Sequence, residues 1–303
     1  MAVPLTASSL DPGIHLVHKN AGETSFAVVK ALLDQQIKAG RRLRLCHAGA
    51  LDPFASGLLL ILAGPATRLM DALHPVPKTY QAVIAWGAET ENGDPTGKVI
   101  ATGDASLLSE TRIEDAFARF VGWRNQVPPA TSNKRIGGER AYQKAHRGEA
   151  VELPASRVYL HSGTWISHDL PRSSRIRIVS GGGYYVRALV TELGRSLGSR
   201  AHLSELQRTQ IGPWKDPPPA KRIHIGGDGV LPWCSTRMFS DQERGELRAK
   251  RRIPIGTLNP GSWAPPYPLK NPLVRAYHQD RLVALLAKSE RSLRLTVDLG
   301  RGF

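Results

Sequence analysis

In the stretch HAGALDPFASGLLLILAG, residues 47–64, a single acidic residue, Asp52, stands between a glycine-bearing turn and one of the most apolar runs of the chain. The proline after it pushes the backbone of Asp52 out of the helical region and into an extended or turn conformation. Two readings follow from this stretch alone. The carboxylate caps backbone donors of the turn, or it is a fixed charge set aside for chemistry. An aspartate at the mouth of a buried strand is poorly solvated unless something pairs with it. A candidate partner lies in GGGYYVRALVTELG, where Arg187 sits near the start of an amphipathic helix directly after a glycine-rich turn. Removing one member of a buried ion pair costs about 3–5 kcal/mol, so such an arginine is needed for folding even where it does no chemistry. Tyr185 in the same block and Tyr80 upstream either stack on a nucleobase, worth roughly 1–3 kcal/mol per base, or fill a core edge. Spacing along the chain does not by itself bring these four side chains together.

The elements that must position them are legible from periodicity and punctuation. A short strand over Ile14–Val17 leads through a glycine turn into a helix capped by Thr24 or Ser25, whose apolar stripe is Phe26, Val29, Leu33 and Ile37. The Lys38, Arg41, Arg42 and Arg44 cluster at its far end either complements the helix terminus or meets phosphate. Leu58–Leu62 reads as a buried strand bounded by Gly57 and Gly64. Tyr80–Trp86 is a strand, and the turn formers at 92–97 make a hairpin after it. Glu110–Val121 is helical, VYLHSGTWIS and SRIRIVS are strands, and Tyr185–Leu197 is a helix. Strands with interspersed helices and no regular βαβ alternation predict an α+β fold with a mixed or antiparallel sheet. Pro213–Pro219 and Gly226–Gly229 form a connector, followed by a short helix over Ser240–Lys250 and a hairpin turning at His278-Gln279-Asp280. The division expected is therefore residues 1–225 and a small, basic, strand-rich unit over residues 226–303.

Composition narrows the function classes. The 303 residues carry 41 Lys and Arg against 26 Asp and Glu, a net charge of +15 that attracts polyanions and favours nucleic acid over an acidic protein partner. Both expected units are basic, so no separate tail explains the charge. Cys46 and Cys234 fit neither a zinc spacing nor a disulfide framework, so no metal is expected and a reducing cytoplasm fits. MAVPLTASSLDPG lacks a signal-peptide pattern, and the longest apolar run falls far short of the ~20 residues of a membrane span; no membrane association is expected.

HAGALDPFASGLLLILAG, KTYQAVIAWGAETENGDPTG, GGGYYVRALVTELG and LQRTQIGPW, in this order and preceded by IHLVHKNAGETSFAVVKALL, resemble the tRNA pseudouridine synthases of the TruB family over most of residues 13–215. Each block alone is weak, and the four together are specific. Asn20 stands where family members usually carry proline. PPATSNKRIGGERAY keeps Pro128, Pro129, Lys134, Gly137, Arg140 and Tyr142 but lacks the tyrosine that the family often shows there. The resemblance implies a pseudouridine synthase-like mixed β-sheet with flanking helices, a uridine site in a central cleft, and a β-rich carboxy-terminal extension similar to a PUA domain. It implies Asp52 as the catalytic aspartate, Tyr80 stacked on the target base, and Tyr185 beside that base, assisting proton removal from its carbon. Arg187 would pair with Asp52, Leu206 would supply an apolar wall, His47 would help hold the RNA loop open, and Lys78 would support the cleft. With Arg187 beside it, Asp52 is expected to have a depressed or near-normal acidity.

The implied reaction turns the T-arm uridine of tRNA, position 55, into pseudouridine. It carries no net redox change and calls for no cofactor. The implied partner is the tRNA T-arm stem-loop, with the protein a monomer and no obligate protein partner. Other readings are a synthase acting on another RNA, a non-catalytic RNA-binding or RNA-remodelling protein that keeps the fold, and a base-removing hydrolase. The last is disfavoured because hydrolases of glycosidic bonds generally bring two carboxyl groups and only Asp52 is nominated.

Overall fold

A computed structural model describes residues 10–303 apart from 133, 148, 150, 268 and 270–272. Along the chain, strand β1 (Gly13–Lys19) leads into helix α1 (Ser25–Lys38), then β2 (Leu45–Ala48) and β3 (Ser56–Ala63). A 3₁₀ turn and the short α2 (Met70–Leu73) precede β4 (Lys78–Trp86). The ribbon β5 (Ala88–Thr90) and β6 (Val99–Thr102), helix α3 (Glu110–Ala118) and β7 (Gly122–Gln126) follow. A second ribbon, β8 (Arg135–Ile136) and β9 (Glu139–Arg140), and α4 (Ala141–His146) lead to β10 (Ser156–Asp169), β11 (Ser173–Ser180), α5 (Val186–Ser196) and β12 (Ala201–Ile211). Then come β13 (Trp214–Lys215), β14 (Arg222–Ile225), β15 (Ser235–Met238), α6 (Asp241–Arg248), β16 (Ile253–Pro254), β17 (Leu273–His278), β18 (Arg281–Lys288) and β19 (Ser292–Asp298).

Among the described residues, one large sheet runs in the order β14-β1-β3-β12-β4-β11-β10-β7, with β2 added to β3 and β13 to β12. Its ladders are antiparallel except where β12 meets β3, so the sheet is mixed, as the α+β expectation requires. β3 explains its own composition: Leu58, Leu60 and Leu62 enter one apolar core, while Leu59 and Ile61 enter another with Val28, Val29 and Leu32 of α1. A strand buried on both faces reads as a continuous apolar run. The parallel contact places Gly57 against Arg208, and a Cβ at Gly57 would run into the Arg208 carbonyl; with φ at +108° the position favours glycine twice over.

α1 is capped by Thr24, whose hydroxyl accepts from the Ala27 amide at 3.0 Å. Its buried face is rotated by about one position from the expected stripe, which keeps only Val29. Ser25, Val28, Val29, Leu32 and Gln36 point inward, whereas Phe26 and Ile37 are 69 % and 59 % exposed. The two buried polar residues are inside because they are hydrogen-bonded. Gln36 accepts from the Leu10 amide, and Ser25 bonds Leu51. The expected connector is also more ordered than its composition suggests. β13 turns back onto β12 and β14 closes the sheet against β1. α3 stops at Ala118, short of the expected Val121, and Gly122 follows with φ at +105°.

The carboxy-terminal sheet, β15-β17-β18-β19-β16, is the small β-rich PUA-like unit. Its β17–β18 hairpin turns on Gln279 and Asp280, both with positive φ, at the position that the sequence marks. Leu282, Leu285 and Tyr277 of this hairpin share one apolar core with Leu58 and Leu60 of the large sheet. No helix of the described residues is long and apolar enough to cross a membrane.

Candidate active site

A cleft of about 470 Å³ opens at one end of the large sheet, where the β2–β3 loop, the start of β4, the start of β10 and the loop into α5 converge. Asp52 sits in the β2–β3 loop, and its backbone is fastened on both sides. Leu51 donates its amide to the Ser25 hydroxyl at 2.9 Å, and that hydroxyl donates to the Leu51 carbonyl at 3.2 Å. On the other side, the Pro53 carbonyl accepts from the Gly22 amide at 2.7 Å and from Lys19 Nζ at 3.4 Å. The start of α1 therefore acts as a clamp on the loop that presents the carboxylate.

Arg187 enters from the first turn of α5, 3 % exposed. Its Nε lies 2.8 Å from Asp52 Oδ2, and its Nη2 donates to Oδ1 at 3.0 Å. The guanidinium thus meets both oxygens of Asp52, one through a hydrogen bond and the other at ion-pair distance. Arg187 Nη1 donates to the Asn92 carbonyl and to Thr131 Oγ1, each at 2.8 Å, and lies 3.5 Å from Asp94 Oδ2. Asp94 is buried and accepts from the Thr96 amide and hydroxyl at 2.9 and 2.6 Å. One buried cation thus serves two carboxylates. Its anchoring is helped by Gln126, which bonds both the amide and the carbonyl of Tyr185 at 2.8 and 3.0 Å. The glycine turn before it lies tight on the α2 exit, where a Cβ at Gly182 would collide with the His74 carbonyl.

The acidity of Asp52 departs from expectation. Burial lifts its carboxyl above the ordinary value, and although Arg187 pulls the other way, the neighbouring Asp94 adds to the lift. The expectation of a depressed or near-normal acidity let the counter-cation outweigh the desolvation and did not include the second carboxylate; here desolvation is the larger effect. Burial also pushes Tyr185 up, opposed by Ser132, so its hydroxyl holds its proton. Lys78 is buried at the cleft wall with Nζ donating to the His74 carbonyl at 2.6 Å; burial, then the nearby Arg208, brings it down to about 7.

Asp52, Lys78, Tyr80, Tyr185, Arg187 and Leu206 all line this cleft. Tyr80 and Leu206 come from adjacent strands, β4 and β12, where Leu206 lies opposite Ala82 and Arg208 opposite Tyr80. Their inward faces are nearly sealed from solvent, at 9 % and 7 % exposure. His47 is placed differently. It lies on β2 opposite Ile61, half-buried, and the cleft lining begins one residue later at Ala48. The segment in which the chain departs from the family pattern also reaches the cleft, through Ser132 and Lys134, while Thr131 holds Arg187. Asn133 and the side chains of Arg140 and Tyr142 lie outside the described residues.

Two charged residues of the site, Asp94 and Arg208, were not singled out from sequence. Asp94 carries the same signal as Asp52, an aspartate held before proline, but its block reads as a turn. Arg208 is fully buried on β12 and spans the loop's footing, donating to the carbonyls of Leu58 at 2.8 Å, Gly49 at 2.9 Å and Ala50 at 3.4 Å. Its signal is a charge in the inward phase of a strand, two residues after Leu206. Among the described residues no group of three or more His, Cys, Asp or Glu side chains is gathered as a metal site, and Cys46 and Cys234 are both free thiols.

The arrangement matches known proteins at the level of family and fold. Residues 35–186 match the model of the TruB family pseudouridylate synthase N-terminal domain. The chain is 36 % identical over 209 residues to tRNA pseudouridine synthase B of Xanthomonas campestris pv. campestris (strain B100), covering 68 % of this chain and 65 % of that protein. It is 37 % identical over 207 residues to tRNA pseudouridine synthase B of Bordetella avium (strain 197N), covering 67 % of this chain and 82 % of that one. The chain thus spans just under two thirds of the length of the Xanthomonas relative. A solved Cbf5-Nop10-Gar1 complex matches the fold with a TM-score of 0.67 at 20 % identity, over 94 % of this chain and 84 % of that one.

Proposed function

Since the chain belongs to the TruB family of pseudouridylate synthases, we propose that it isomerises the T-loop uridine of tRNA to pseudouridine with Asp52 as the catalytic carboxylate. The observation that carries this reading is the pairing of Asp52 with buried Arg187 in a cleft walled by Tyr80, Tyr185 and Leu206.

The chemistry asks for such a set. Pseudouridine forms when the bond from the sugar carbon C1′ to N1 breaks, the base turns over, and C1′ bonds to C5. The C5 proton is lost and N1 gains one, with no net redox change. Cleavage builds positive charge on the sugar, which a fixed carboxylate stabilises without reorganising. Arg187 orients both oxygens of Asp52 and opposes protonation of a carboxyl whose surroundings favour it. Leu206 and the ring of Tyr80 keep bulk water from the detached base, because water would divert the reaction to hydrolysis. Tyr185 stays a neutral phenol, so it assists removal of the C5 proton by relaying it through its hydroxyl to the neighbouring Asp52 carboxylate, which gives it up to water when product leaves, not as a standing phenolate. Lys78, near the midpoint of its titration around neutral pH, supports the cleft beside His74.

Reaching a base inside a folded RNA loop requires everting it at a cost of a few kcal/mol. Stacking on Tyr80 offsets part of this, and His47, on the strand that leads to the cleft lip, holds the loop open. We place the catalytic unit in residues 1–225 and an RNA-binding, PUA-like unit in residues 226–303, with tRNA as the partner and a monomer as the working form. The charge of +15 supports a phosphate-rich partner for both units.

The test incubates the chain with an unmodified tRNA transcript and maps pseudouridine. The wild-type chain modifies the T-loop uridine, and Asp52→Asn binds the transcript but forms no product. Equal product from both would remove Asp52 from its role, and a product at another site or on another RNA would replace the substrate.

A further inference from the structure

The edge of the large sheet carries an aromatic cluster that the reaction does not use. Arg157, Tyr159 and His161 alternate along β10 with Val158 and Leu160, which are buried in the core, so the first three share the other face. Trp123 on β7 lies opposite Tyr159 in the ladder, their ring centroids 5.1 Å apart. The Arg157 guanidinium sits 5.0 Å above the Trp123 ring. Tyr267, from the chain leading into β17, adds a further ring at 5.1 Å from Tyr159 and 6.2 Å from His161. With all of this around it, Trp123 still exposes 54 % of its surface.

The cluster touches the cleft at two points. Arg157 lines the cleft together with Ser156 and Val158. Tyr267 donates its hydroxyl to the Pro75 carbonyl at 3.3 Å, next to His74 of the cleft wall. The platform is therefore continuous with the candidate active site.

We propose that Trp123, Tyr159 and Arg157 form a stacking platform for an unpaired nucleotide of the RNA that neighbours the uridine being modified. This rests on the reading of the cleft as a uridine site. A nucleobase suits the surface because every base offers a π-face to an aromatic ring, and an arginine in the same stack meets both base and phosphate. The continuity with the cleft and the positive charge of the chain favour RNA over a protein partner. Eversion of one base leaves its neighbours unstacked, and a platform at the rim re-stacks one of them.

The test uses a T-arm stem-loop carrying 2-aminopurine in place of a nucleotide beside the target uridine, bound to the Asp52→Asn chain so that turnover does not intrude. Binding quenches the fluorophore, and adding Trp123→Ala removes the quenching while RNA affinity falls about tenfold, the loss of one base–aromatic stack. In the active chain Trp123→Ala raises KM about tenfold with kcat within twofold, and Trp123→Phe restores most of the loss. Arg157→Gln, an exposed change on the same stack, gives a smaller effect in the same direction and serves if Trp123→Ala does not fold. Unchanged quenching and affinity in both variants would overturn the platform and leave a protein-docking patch, with the cleft reading intact. A wild-type chain that forms no pseudouridine would overturn the cleft reading, and the affinity measurements alone would then decide the platform.

Discussion

At the level of single residues, one guanidinium shared by two carboxylates holds the site together. Arg187 meets both oxygens of Asp52 and lies 3.5 Å from Asp94. Replacing it with methionine takes the shared guanidinium away from buried Asp94 and half-buried Asp52. Unfolding in urea is expected to show a loss of about 3–5 kcal/mol, with activity abolished. Asp94 is the subtler handle. Because it helps lift Asp52 above the ordinary carboxylate value, activity that needs ionised Asp52 falls on the acid side as pH drops through that lifted value. Asp94→Asn withdraws the like charge, so the acid limb of the kcat/KM profile moves to lower pH; a limb that stays put or moves up contradicts the coupling. This much of the site was legible in part. Asp52 and Arg187 stood out because a charge beside an apolar run and an arginine after a glycine turn are anomalies of type. Their meeting came from the resemblance and not from spacing. Asp94 was hidden inside a turn whose composition already had an explanation.

At the scale of the element, the site depends on how α1 and β12 grip the β2–β3 loop. Ser25 both accepts from and donates to Leu51, so Ser25→Ala strands a buried amide. An unsatisfied buried group costs about 1–3 kcal/mol. The expected result is that loss in unfolding, with a fall in kcat larger than any rise in KM, since the loop and not the RNA surface is loosened. The same residue explains why the buried face of α1 was misread. A stripe of Phe26, Val29, Leu33 and Ile37 counts only apolar types, whereas the face that docks includes Ser25 and Gln36, whose burial is stabilised by hydrogen bonds that no periodicity records. β3 was read well for the converse reason: Leu58 to Leu62 are buried by apolarity alone, and pattern captures that. Arg208 lay between the two cases, in the inward phase of β12 but of the wrong type for a core. Its partners, the carbonyls of Gly49, Ala50 and Leu58, become visible only once the parallel contact between β12 and β3 is known.

At the scale of the whole molecule, net charge and fold act together. A chain of +15 that holds RNA through phosphates releases counterions on binding, so the logarithm of its affinity falls linearly with the logarithm of salt concentration. A flat salt dependence would argue that the positive surface is not a phosphate surface. Composition foresaw this charge but not the packing of the two sheets, which share an apolar core joining Leu58, Leu60 and Leu62 to Tyr277, Leu282 and Leu285. Contacts so distant in sequence leave no local pattern. Whether a carboxylate at position 52 drives exchange of a carbon–nitrogen for a carbon–carbon glycosidic bond is read out by tritium placed on C5 of the uridines of a tRNA transcript. Joining the sugar to C5 must release that hydrogen to water. The wild-type chain is expected to release the label of one uridine per tRNA and Asp52→Asn none; release by the variant at the wild-type rate, or no release by either, would take that role from Asp52.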